Sequence, residues 1–160
     1  MNQSRTPPMS RQDEFDLFET LKRETAKIHE KVMGETWAQR VLSSDYTRGE
    51  YSELLQKYYG FYLPLKTLLL SLPSALGIIY VLEGATLGGQ MMAKQLKISL
   101  GLNDREGLMF FNGYGFETAQ MWSSFKVQTC DLVRTSKESD VMLEAALETF
   151  TALSDWMETP

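Results

Sequence analysis

The chain is poor in the residues from which most metal and nucleophile sites are built. It has one cysteine, Cys130, and one histidine, His29, among 160 residues. A single cysteine excludes an internal disulfide and suits a reducing compartment. One histidine with one cysteine excludes the usual structural zinc site, which takes about four nitrogen or sulfur ligands. Glu50 and Glu53 have no histidine beside them, which excludes a di-iron carboxylate pair. No serine or cysteine has a histidine placed by pattern to activate it, so nucleophilic catalysis has no support.

Proline is scarce as well, and two of the five prolines fall in the polar opening stretch MNQSRTPPMSRQDE. Residues 1–12 are expected to form a disordered lead-in to a single domain over 13–160. That stretch has no apolar centre of the kind a secretory signal needs. The longest apolar runs, Leu68–Leu70 and Leu76–Leu82, fall far short of the ~20 residues of a spanning helix. No membrane segment is therefore expected, and the expected location is the cytoplasm. A net charge of −5, with acids and bases mixed, argues against nucleic acid as a partner.

What the chain does have is helical periodicity throughout, without strand-like alternation, so the expected class is all-α. The first helix is expected from Asp13 or Asp16 to Val32, with Leu17, Leu21, Ile28 and Val32 as its apolar stripe and Gly34 as its stop. A second should start after Asp45 or Thr47, where TRGE reads as a capping box, and Pro64 should kink or end it. A third follows Pro73 and runs to about Leu100, closed by Gly101. After a connector at Asn103–Gly107, helices over about Phe116–Arg134 and Lys137–Met157 complete the chain.

Two of these helices carry unusual residues. On the first, Phe18, Lys22 and Thr25 all fall within about 40° of His29. His29 thus stands at the margin of the apolar stripe, where a ligand facing an inter-helix space would stand. Lys22, two turns earlier, suits an anionic group of the same bound molecule. On the third, LGIIYVLEGATLGGQMM puts Gly77, Gly84 and Gly88 within about 40° on one face, with Gly89 adjacent and Met91 on the same line. Each helical glycine costs on the order of 1 kcal/mol relative to alanine. The repeated cost implies close approach of a flat ligand, close approach of another helix, or a bend. EGATLGG has neither the spacing nor the lysine of a P-loop, nor the pattern of a dinucleotide-binding loop.

LKRETAKIHEKV resembles the proximal helix of haem oxygenases, YVLEGATLGGQ the distal helix of their bacterial, bacteriophytochrome-associated branch, and FFNGYGFETAQMWSSF a later stretch of that branch. The resemblance runs in order from about Phe18 to Phe150. It implies an all-α haem oxygenase-like domain with haem between the His29 helix and the glycine-rich helix. By that resemblance His29 is the iron ligand, Thr25 precedes it as in the family, and Gly84, Gly88 and Gly89 bring the distal backbone onto the haem face. Lys22, Tyr114 and Lys126 are implied contacts for haem propionates; Met91, by its place on the glycine line rather than by the resemblance, is a candidate ligand contact whose simpler role is packing. Haem would be both cofactor and substrate, cleaved with O2 and electrons from a ferredoxin-type or reductase donor to biliverdin, carbon monoxide and iron. The implied partners are that redox protein and a bilin-binding photoreceptor downstream, with the chain a monomer or homodimer.

Two positions depart from the family pattern. Ala85 stands where relatives often carry a polar or acidic residue. The stretch joining the second and distal helices is several dozen residues shorter than is usual. Either dimerisation through Leu68–Leu72 compensates for it, or a segment is missing from the sequence. The alternatives are a haem binder of the same fold without turnover and, more remotely, a helical module that accepts a phosphoryl group on His29.

Overall fold

The computed structural model describes residues 11–65, 71–103 and 107–159, with the side chains of 11–15 excepted. Residues 1–10 of the expected lead-in, and Leu68–Leu70 of the expected dimer contact, lie outside the described residues. Among those described there are seven α-helices and no strand: α1 (Arg11–Gly34), α2 (Thr36–Val41), α3 (Arg48–Leu65), α4 (Leu72–Leu100), α5 (Met109–Asn112), α6 (Thr118–Leu132) and α7 (Ser136–Glu158). A short 3-10 turn, Gly115–Glu117, links α5 to α6. The all-α class is as the periodicity implies.

Local chemistry sets most of the boundaries. The Thr47–Glu50 capping box forms in both directions: Glu50 N–H donates to Thr47 Oγ1 at 3.3 Å, and Thr47 N–H donates to the Glu50 carboxylate at 2.8 Å. Ser71 caps α4 by accepting from the Ser74 N–H, Pro73 sits in the first turn, and Gly101 closes the helix with a left-handed φ of 62°. Pro64 falls one residue short of the end of α3. Thr135 and Glu138 form a second capping box, at the start of α7.

Two expectations are corrected here. α1 is already helical at Arg11, so Asp13 and Asp16 lie inside it and neither one caps it. The six-residue α2 was not anticipated. Its N-cap, Glu35, makes no side-chain cap to its own helix. The Glu35 carboxylate accepts instead from Trp37 Nε1 and from the Ser154 hydroxyl of α7, a tertiary bond that anchors α2 from the far end of the chain.

The interior falls into two hydrophobic clusters. One joins Leu17, Leu21 and Val32 of α1 to Leu76 and Val81 of α4, Cys130 of α6, and Met142 and Phe150 of α7. The other joins Leu54 and Phe61 of α3 to Met92 and Leu96 of α4, Phe111 of α5, and Leu153 and Met157 of α7. The first cluster pairs the earlier part of α4 with the earlier part of α7 and the second pairs their later parts, so the two helices run parallel. α4 therefore serves both clusters, one with each half, and its middle turn from Gly84 to Gly88 falls between them. α4 is also, among the described residues, long and apolar enough by length and composition to cross a membrane, with a mean hydropathy of 1.2. A search for unbroken apolar runs passes over it because Glu83 and small residues interrupt the pattern.

Candidate functional site

The four glycines of α4 divide into two kinds. A Cβ on Gly77 would run into the Met142 carbonyl oxygen and lie 2.9 Å from Ala145 Cβ, so this glycine exists for the close packing of α4 on α7. A Cβ on Gly89 would lie 2.8 Å from the Phe111 carbonyl oxygen, so Gly89 serves the packing of α5. Gly84 has only the Trp122 ring nearby, at an ordinary 3.8 Å, and around Gly88 the space is open to 4 Å. Contact with other parts of the chain therefore accounts for Gly77 and Gly89 and leaves Gly84 and Gly88 unexplained. The backbone is bared along one turn, with Ala85 and Gly88 exposed.

His29 lies in the last third of α1 and is exposed. Its ring meets Phe150 of α7 edge to face, with centroids 5.9 Å apart. Among the described residues no hydrogen bond or ion pair engages the imidazole. The parallel register relates this ring to the glycine turn. Gly77 lies against Met142–Ala146, and Gly84 is seven residues, or ~10 Å, further along α4. The same step along α7 reaches residues 149–153, the level of Phe150 and hence of His29.

The other predicted residues scatter around this level. Thr25, one turn before His29, is buried; its hydroxyl donates to the Leu21 carbonyl at 2.7 Å. Lys22 is exposed on α1 and Lys126 half-buried on α6. Met91 is exposed one turn beyond Gly88, so it is no part of the core. Tyr114 is brought to α4, where its hydroxyl donates to Glu83 Oε1 at 2.8 Å. That bond, with a smaller effect of burial, raises the phenol above its ordinary pKa.

Two residues that the sequence does not tie to the glycine turn lie beside it. Trp122 covers Gly84 and belongs to an aromatic group with Phe18, Tyr80 and Phe125, in which Trp122 and Phe125 stack at 5.6 Å. Glu83 precedes Gly84 and holds Tyr114; its negative charge, after burial, helps push Tyr62 up to about 12. Neither could be found from periodicity, because each acquires its meaning from a residue more than thirty positions away. Hollows of about 480 and 240 Å3 occur elsewhere, lined by Tyr51 and Leu102 and by Leu17 and Ser136 respectively; neither reaches His29 or the glycine turn.

The arrangement offers one accessible imidazole, a bared helical turn at the same level, and an aromatic wall beside that turn. Among the described residues no three His, Cys, Asp or Glu side chains converge to hold a metal. The profile of the family described as Heme oxygenase matches residues 70–159, which takes in α4 to α7 but not α1. No curated protein and no solved structure matches the chain.

Proposed function

The chain belongs to the haem oxygenase family, and we propose that it binds haem through His29 and, with O2 and electrons, cleaves it to biliverdin, carbon monoxide and iron. The observation that carries the reading is that Gly88 is bare and Gly84 meets only the Trp122 ring, at ordinary contact distance. Two helical glycines cost on the order of 2 kcal/mol together, and no contact within the protein needs the space they leave. A flat ligand lying against that turn uses it. The donor set points the same way: a lone histidine suits a metal whose remaining ligands arrive with it, as the four nitrogens of a porphyrin do. His29 lies outside the span matched by the family profile, so its role rests on its accessibility and its level along α7.

In this reading the division of labour is simple. Haem, when bound, supplies the redox chemistry and is itself consumed. His29 would hold the haem iron through one ring nitrogen. Gly84 and Gly88 would let the α4 backbone approach the ligand and exclude bulkier groups from it, while Gly89, which the family resemblance put with them, serves the packing of α5 instead. Trp122 and its aromatic neighbours keep water from one edge. Lys22 and Lys126 are the proposed cationic partners of the propionates, and Met91 is a further apolar contact. The bacterial branch, a ferredoxin-type or reductase donor, a downstream bilin-binding photoreceptor and a cytoplasmic setting complete the proposal.

A second reading, a haem binder without turnover, is favoured by one observation. Ala85 is exposed on the critical turn and its methyl group cannot hydrogen-bond the water that general-acid chemistry needs. Reconstitution with haemin, followed by a reductase or ascorbate under air, separates the two. Turnover predicts decay of the Soret band with a rising biliverdin band. A stable spectrum would leave only the binder.

A further inference from the structure

Tyr114 is held in a way that bears on ligand choice. Its hydroxyl donates to the Glu83 carboxylate at 2.8 Å, and Glu83 is the residue before Gly84. A carboxylate is the same kind of acceptor as a haem propionate, and a phenol O–H can satisfy only one of them at a time. The phenol stands between two glycines in left-handed backbone, Gly113 at φ 53° and Gly115 at φ 59°. The flanking backbone is anchored from α4: Gln90 Nε2 donates to the Gly115 carbonyl at 2.7 Å and to Thr118 Oγ1 at 3.0 Å. The ring is thus carried at a fixed place on α4, while its hydroxyl remains at the surface and 42% of Tyr114 stays exposed.

Resting on the haem reading above, we propose that Glu83 is an internal competitor for Tyr114, and that the Tyr114 hydroxyl passes from the Glu83 carboxylate to a carboxylate of the bound ligand. Glu83 then sets how strongly the site discriminates between a ligand with free carboxylates and one without. While the bond to Glu83 is intact, an incoming carboxylate meets a negative charge and an occupied donor. Once the hydroxyl has turned, one charge-assisted hydrogen bond has replaced another, and the cost that remains is the proximity of two anions.

The test is a four-protein cycle: wild type, Glu83→Gln, Tyr114→Phe and the double variant, each titrated with haemin and with haemin dimethyl ester and followed at the Soret band. Glu83→Ala serves as a second variant, and far-UV circular dichroism checks folding throughout. Glu83→Gln should tighten haemin by roughly three- to tenfold and leave the diester nearly unchanged. Tyr114→Phe should weaken haemin and abolish the gain from Glu83→Gln. Unchanged or weaker haemin binding in Glu83→Gln overturns the proposal. So does an equal gain for both ligands, or a gain that survives in the Tyr114→Phe background, since either would reflect surface charge alone. Absence of a Soret band from all the proteins, wild type included, would instead overturn the haem reading on which the proposal rests, and the proposal with it.

Discussion

Gly77 of α4 is pressed against the main-chain carbonyl of Met142 on α7, with no room between the two helices for a methyl group. This contact fixes the register of the two parallel helices, and through that register the level at which Gly84 stands relative to Phe150 and His29. Gly77→Ala would gain about 1 kcal/mol of helix propensity but must push two backbones apart, a strain of about 1–3 kcal/mol or more. The expected net result is a less stable protein, with a thermal midpoint lower by several degrees in calorimetry. A midpoint at or above that of the parent would contradict the packing role.

Gly88 should behave in the opposite way. Nothing lies within 4 Å of a Cβ built there. Gly88→Ala is therefore expected to raise the stability of the ligand-free protein by up to about 1 kcal/mol, read as a higher urea midpoint. The same methyl would stand where the ligand plane has to approach, so haemin affinity should fall at least several-fold. Raised stability with unchanged affinity would remove the main support for the proposed ligand surface.

These two glycines show how much of the site could be read in the sequence. A helix rich in glycine was visible at once, because the pattern is local. Which glycines serve packing was not, since the atoms that decide it belong to Met142 and Phe111, far along the chain. Elements closed by neighbouring residues were legible: the Thr47–Glu50 box and the Gly101 stop need partners only a few positions away. α2 was not, because its anchor is the bond between Glu35 and Ser154, 119 residues apart. His29 could be placed at the margin of a stripe, but its ring neighbour Phe150 could not be foreseen.

The two capping boxes should make stability depend on acidic pH. Hydrogen bonds from Thr47, and then from Arg40, hold the Glu50 carboxyl below the usual carboxylate range. The Arg134 N–H, and then the Thr135 hydroxyl, do the same for Glu138. A carboxyl with a depressed folded pKa contributes stability that is present above its unfolded value, about 4.3, and is lost as pH falls through the folded value. Urea midpoints should accordingly fall as pH is lowered through that range. The fall should be shallower in a Glu50→Gln, Glu138→Gln double variant. An identical pH profile for parent and variant would show that other carboxyls carry the effect.

The central claim is that His29 would hold the iron of bound haem. Its most direct test is a haemin titration of wild type and His29→Ala, comparing the Soret maximum and the dissociation constant. His29 is exposed and, among the described residues, Phe150 is its one aromatic ring contact, so the variant should fold normally by circular dichroism. The account predicts a ligated Soret spectrum in the parent, and in the variant a shifted, weakened spectrum with affinity lower by at least tenfold. Free imidazole should restore the parental spectrum. A His29→Ala protein that binds haemin as tightly as the parent, with the same Soret band, would contradict the account.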